Sequence, residues 1–203
     1  MKRTDGPMTF AVDGHEEGVI MQWDFEPGHS AAEFRCRHMM VTWVRGHVKN
    51  VRGSLDFSPE DPGRASVKAE IDAKEMWTGE PERDAHLKSA DFLDVEHHPQ
   101  MRFVSTEVEV LSQHEFRAAG NLTIRGVTRK VVLDVQYLGQ WETPYWEDGV
   151  DKGPMIRAGF AVTTTINRHD FGVSWNAYLD KGGVVVGDEV HITLDVEALR
   201  KKS

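Results

Sequence analysis

Strict alternation of apolar and polar residues recurs along most of this chain, and it leaves few folds open. Val67, Ala69, Ile71 and Ala73 interleave with Ser66, Lys68, Glu70 and Asp72, and Val190, Ile192, Leu194 and Val196 with His191, Thr193, Asp195 and Glu197. A period of two sends one set of side chains into an apolar interior and the other into water, as antiparallel sheets do. The pattern repeats in Ala32, Phe34 and Cys36; in Leu55 and Phe57; in Phe116, Ala118, Leu122 and Ile124; in Val131, Leu133, Val135 and Tyr137; and in Ile156, Ala158, Phe160 and Val162. From Met101 to Val110 it is less clean, with Met101 and Phe103 on one face and Val104, Val108 and Val110 on the other. Eight strands result. Turn chemistry separates them: SPEDPGR after Phe57, SQHE after Leu111, RGVTR after Ile124 and the long WETPYWEDGVDKGP before Met155. Eight such strands close into an up-and-down barrel or stack as a sandwich, and periodicity does not choose between the two.

One segment breaks the alternation. In EPERDAHLKSADFLDVE, Pro81 suits a first helical position, Glu80 and Glu82 suit the positive end of the helix dipole, and Ala85, His86, Leu87 and Lys88 continue it. A short helix over about 81–89 is expected between strands three and four, covering one open end of a barrel. Residues 1–22 are polar and lack sustained periodicity, so they are expected to form a poorly ordered arm before a single domain over 23–203. A chain of 203 residues buries roughly 70% of its surface on folding, enough for a core without staples.

A formal charge of −9 with scattered basic residues argues against nucleic acid and anionic leaflets as partners. No run reaches the length of an apolar membrane span. Cys36, the single cysteine, forms no internal disulfide and builds no Cys-rich zinc site. The start has a basic end but no apolar h-region, which makes a cytoplasmic location the expectation.

Chemistry is sparse. Ten histidines include no HExxH, and the adjacent His97 and His98 point to opposite faces if extended before Pro99, so no metal is expected. GxSxG, P-loop and GxGxxG motifs are all missing. Cys36 and His38 share a strand face, which admits a thiolate with its base, though a cysteine there more often packs inertly. His38 is either a polar group at the rim or floor of a cavity or a core histidine satisfied by a carbonyl. Arg83 and Asp84, with Arg168 and Asp170 in the INRHDFG turn, either hold a polar head at a barrel mouth or form a hydrogen-bonded network fixing helix and turn. Inward positions include the small Ala32, Ala69, Ala118, Ala158 and Gly120, which leave room. Phe34, Phe57, Phe116 and Phe160 are large enough to fill it.

The stretches AEFRCRHMMVTWVRG, VRGSLDF, ERDAHLKSADFLDVEHHPQMRFVST, GNLTIRGVTRKVVLDV, RAGFAVTTTINRHDFG and VVVGDEVHITLDVEAL resemble, in order, the YceI-like family. The resemblance covers most of the chain from Trp23 to Leu199. It implies an all-β fold, an eight-stranded antiparallel lipocalin-like barrel, holding a polyisoprenoid or another long-chain amphiphile such as an isoprenoid quinone or fatty-acid derivative. No cofactor, metal or catalytic residue is required. The family's pattern positions fall on His38, on Arg83 and Asp84, on Asp91, Phe92 and Leu93, and on Asn167, Arg168, Asp170, Phe171 and Gly172. Leu93 stands where an aromatic residue is frequent. Many relatives are exported, and their periplasmic role does not carry over to a chain without a visible signal.

The lumen-lining residues expected are Phe34, Cys36, His38, Phe57, Ala69, Ile71, Phe116, Leu122, Ile124, Ala158, Phe160, Val162, Ile192 and Leu194. Arg83, Asp84, Asn167, Arg168 and Asp170 are expected at the mouth. The partner is a lipid-like small molecule, with a homodimer left open. Strands of about 8–10 residues, tilted roughly 40°, give a lumen some 20–25 Å long, shorter than an extended C40 chain. A lipid-directed enzyme using His38 and Cys36, or a filled barrel serving as a stress-related interaction protein, are the alternative readings.

Overall fold

A computed structural model describes residues 20–180 and 182–202. The expected N-terminal arm lies outside the described residues up to residue 19, and Met21 and Gln22 already belong to a strand. Ten strand segments follow: β1 (Met21–Phe25), β2 (Ala31–His38), β3 (Thr42–Val48), β4 (Arg52–Phe57), β5 (Ser66–Asp72), β6 (Gln100–Val110), β7 (Glu115–Ile124), β8 (Val127–Glu147), β9 (Val150–Asn167) and β10 (Val186–Lys201). One helix, α1 (Pro81–Lys88), lies between β5 and β6. All pairings are antiparallel, in the order β1-β4-β5-β6-β7-β8-β9-β10-β2-β3, and β1 also pairs with β10, which closes the sheet.

Ten segments make eight staves. β1 and β2 lie end to end along β10, with Phe25 opposite Ala198 and Ala31 opposite Asp195. A single 3-10 turn at Pro27–His29 separates them, where proline has no N–H to give the ladder. β3 and β4 are likewise halves of one stave, paired with β2 and β1 respectively and broken at Asn50, whose φ is 57°. The eight expected strands stand as eight staves, but the two breaks change the numbering of the segments: the helix expected between strands three and four follows β5 and precedes β6. The ring is also not hydrogen-bonded throughout. β4 pairs with β5, but among the described residues β3 meets no strand on its other side and has there an isolated bridge from His47 to Trp77. The stretch from Ala73 to Pro99, including α1, occupies the segment between β5 and β6 and packs over this end of the barrel through Leu87, Phe92 and Leu93.

Two stretches read differently from the sequence. WETPYWEDGVDKGP is mostly strand, because β8 and β9 run 21 and 18 residues, and the chain turns only at Asp148 and Gly149, with φ of 51° and 75°. An Asp-Gly pair with both residues at positive φ is the chemistry of a tight hairpin turn. In β6 a bulge between Ser105 and Glu107 resets the alternation. Phe103 and Val108 consequently both face inward, whereas Val104 is exposed.

Candidate functional site: two cavities separated by an apolar plug

The interior is partly filled and partly open. Phe57 is surrounded by Phe116, Tyr137 and Phe160, with ring centroids 6.2, 5.1 and 5.3 Å away, and Trp23 and Val51 are fully buried in the same cluster. Trp23 Nε1 donates to the Phe57 carbonyl at 3.0 Å, so this end is anchored as well as packed. Gly120 does not provide free space, because the Phe103 ring already lies where its Cβ would be. Beyond these rings lies a cavity of about 180 Å³. Of the residues expected at the lumen, Phe57, Ala69, Ile71, Phe116, Leu122, Ile124, Phe160, Val162, Ile192 and Leu194 line it, together with Phe25, Leu55, Phe103, Leu133 and Val196.

The other four lie elsewhere. Ala158 points inward but is 1% exposed, sealed in the aromatic cluster instead of facing the cavity. Phe34, Cys36 and His38 line a second cavity of about 440 Å³ between β2 and α1, shared with Glu82, Arg83, His86, Leu87, Phe92 and Trp175. Phe34 is turned this way by Gly46 directly across from it on β3, because its ring occupies the space a Cβ there would need. A second apolar cluster separates the cavities. Its members Ile124, Leu122 and Ile192 face the first cavity, and Phe92, Leu87 and Trp175 face the second. His86, Phe92 and Trp175 pack ring to ring at 4.7–5.3 Å. Trp175 belongs to no regular element, and neither periodicity nor a motif singles it out in the sequence.

The five mouth residues form two separate networks. The Asp84 carboxylate accepts from the backbone N–H and hydroxyl of Thr78, and Arg83 donates to the Thr78 hydroxyl and carbonyl, which ties the start of α1 to the strap before it. Arg168, 4% exposed, donates to the carbonyls of Val173, Trp175, Val186 and Gly187, and burial lowers its pKa. Asn167 accepts from the His169 N–H and so caps the turn, and Asp170 is exposed. Of the five, Arg83 lines the second cavity, and none lines the first.

Cys36 lacks the setting of a nucleophile. Burial raises its pKa and outweighs the nearby Arg168 guanidinium, and its thiol donates to the Gly187 carbonyl at 3.3 Å. One group among the described residues has the spacing of metal ligands: Glu26, His29 and Glu197, with ligand atoms within 4.8 Å of one another. The turn at Pro27–His29 carries the first two to β10, a convergence the sequence does not display. Arg157 ion-pairs with Glu197 there. Among the described residues no helix is long and apolar enough to cross a membrane.

Comparison with known proteins agrees with this architecture. The family model described as the YceI-like domain matches residues 23–198. A UPF0312 protein of Pectobacterium carotovorum is 34% identical over 181 residues, covering 89% of this chain and 86% of its own length. One from Pseudomonas aeruginosa is 34% identical over 178 residues, covering 88% and 85%. Among solved structures, BcnA of Burkholderia cenocepacia superposes with a TM-score of 0.70 at 21% identity, covering 86% of this chain and 99% of its own. A polyisoprenoid binding domain from Saccharophagus degradans gives 0.58 at 11% identity, covering 87% and 97%. At these identities the structures speak to the fold, and the family rests on the model match and the closer sequences: the chain belongs to the YceI-like domain family.

Proposed function

We propose that the barrel binds, stores or carries a long apolar amphiphile without transforming it. The observation that carries this reading is the almost entirely apolar surface of the first cavity inside a closed antiparallel barrel. The description of the Saccharophagus degradans neighbour as polyisoprenoid-binding supports the same class of ligand, with isoprenoid quinones and fatty-acid derivatives as its chemical kin. Size constrains the ligand. About 180 Å³ is close to the ~150 Å³ of an apolar cavity that takes up benzene, so this space holds one ring or one short stretch of chain. A longer ligand has to extend through the Leu87–Phe92–Ile124 plug into the second cavity, where its polar end meets His38, Arg83 and His86. Even at about 0.3 kcal/mol per heavy atom, a 25-atom chain reaches micromolar affinity or better.

A lipid-directed enzyme built on Cys36 and His38 has less support, since burial favours the protonated thiol, which donates to the Arg37 and Gly187 carbonyls. Native mass spectrometry of the purified protein, followed by organic extraction, tests the proposal. Added mass that leaves with solvent, and that a fluorescent fatty acid replaces, is the expected result. Protein without extractable mass that also takes up no probe would overturn it.

A further inference from the structure

The basic residues expected to be scattered are in part gathered on one face. Between Ala31 and Arg52 the chain carries Arg35, Arg37, Arg45, Lys49 and Arg52 against the single acid Glu33, in a protein with a formal charge of −9. Cys36, Val44, Gly46 and Val48 alternate inward, so Arg35, Arg37, Trp43 and Arg45 share the outer face of the β2–β3 hairpin. Arg35 lies directly opposite Arg45, and Arg37 opposite Trp43. Two like charges across a strand pair are unfavourable, and among the described residues none of these three arginines has a carboxylate within ion-pairing distance. Instead the guanidinium groups of Arg35 and Arg37 lie 4.8 and 4.1 Å from the centre of the Trp43 ring. Alongside, an outer groove of about 710 Å³ is lined by Arg35, Arg45, Arg117, His191, Thr163 and Thr165, with Glu33 and Asp134 as its acids.

The hairpin's tip is apolar. Met39, Met40 and Val41 are 40%, 56% and 79% exposed, and Tyr178, 86% exposed, belongs to the neighbouring loop whose Val185 carbonyl accepts from the Met39 N–H. The turn is closed by Val41 N–H donating to the His38 carbonyl at 3.0 Å, and Met39 and Met40 have φ of 48° and 62°. Two positive φ values in succession are what asparagine and glycine provide cheaply, as Asp148 and Gly149 do at the other long hairpin. Two methionines there raise the cost of the turn and place soft apolar groups in water.

We infer that the β2–β3 hairpin docks on anionic phospholipid bilayers, with the outer arginines and Trp43 at the headgroups and Met39, Met40 and Val41 in the upper acyl region. Charge complementarity selects an anionic surface, and the exposed methionines select a hydrocarbon interior over a soluble polyanion. The second cavity lies just behind this tip, lined by His38 and Val44, so docking brings the cavity to the source of an amphiphile. Docking stands whether or not the lumen carries lipid.

The test is flotation of the protein with vesicles of phosphatidylcholine, alone or mixed with phosphatidylglycerol. Binding is expected only to the mixed vesicles, and it should weaken as salt rises. At about fivefold per basic residue at a charged leaflet, R35Q/R45Q loses roughly 25-fold, whereas R129Q/K130Q on β8, an equal change of charge elsewhere, retains binding. M39N/M40G separates docking from folding. It fits the turn better and raises the melting temperature by about 2–4 °C, yet weakens binding several-fold. Equal loss in the β8 control, equal binding to pure phosphatidylcholine, or full binding by M39N/M40G would each overturn the inference. So would binding to inorganic polyphosphate or RNA that matches vesicle binding and ignores M39N/M40G.

Discussion

Ala69 and Ala158 occupy equivalent inward positions in the sequence pattern, and the same substitution should move them in opposite directions. Ala69 lines the 180 Å³ cavity, whereas Ala158 is 1% exposed among Trp23, Phe57, Tyr137 and Phe160. Ala69→Leu adds three carbons to open space. At about 0.8 kcal/mol per buried methylene this gives up to roughly 2.4 kcal/mol, from which about 0.5–1 kcal/mol of side-chain entropy is lost. A net gain of about 1.5 kcal/mol raises the melting temperature of a chain this size by roughly 3–6 °C. Ala158→Leu pushes the same three carbons into packed rings, costing about 1–3 kcal/mol and lowering the melting temperature by a similar amount. Calorimetry of both variants stripped of lipid reads the signs, and uptake of a fluorescent fatty acid should fall for Ala69→Leu. If both variants are destabilised alike, the lumen is filled and the cavity argument fails.

Arg168→Met removes the donor to four carbonyls, and a loss of about 3–5 kcal/mol is expected in urea titrations with probe affinity unchanged in the folded protein. Lost affinity with intact stability would mean that Arg168 touches ligand. The hydrogen bond from His97 Nδ1 to Asp94 raises the pKa of His97 and lowers that of Asp94. The pair therefore contributes to stability between these two values; the Asp94 share is lost as pH falls through its lowered pKa, and the His97 share as pH rises through its raised one. In Asp94→Asn, an NMR titration should find His97 back near 6.5, and an unchanged value would refute the pairing. Cys36, buried and protonated, should react with a disulfide reagent far more slowly in the native protein than in urea. Comparable rates would contradict its placement.

The eight staves and the helix were legible because a period of two and a Pro-led acidic first turn are local signals that survive into the structure. The inner face of β10 and the turn at Arg168 were read for the same reason. What escaped reading depends on partners distant in sequence. Gly46 turning Phe34 toward α1, Phe103 filling the space above Gly120, and the β6 bulge returning Val108 to the interior are relations between strands. Parity alone therefore placed Ala158 and Cys36 in a lumen that neither faces. Charge suffered similarly: a tally along the chain does not distinguish dispersed arginines from Arg35, Arg37 and Arg45 gathered on one outer face.

The missing neighbour of β3 bears on how the vessel opens. Elsewhere the wall is continuous ladder, and widening it would break rows of backbone hydrogen bonds. At β3 the wall is completed by a patch, fastened by the His47–Trp77 bridge, by Thr78 with Arg83 and Asp84, and by the packing of Leu87 and Phe92. Integrity and access thus rest on different bonds. The slit can gape by releasing the two backbone hydrogen bonds of that bridge and a few side-chain contacts while all eight staves stay paired, and hydrogen exchange should register this as early labelling in β3 and α1 against slow labelling in β7 to β9.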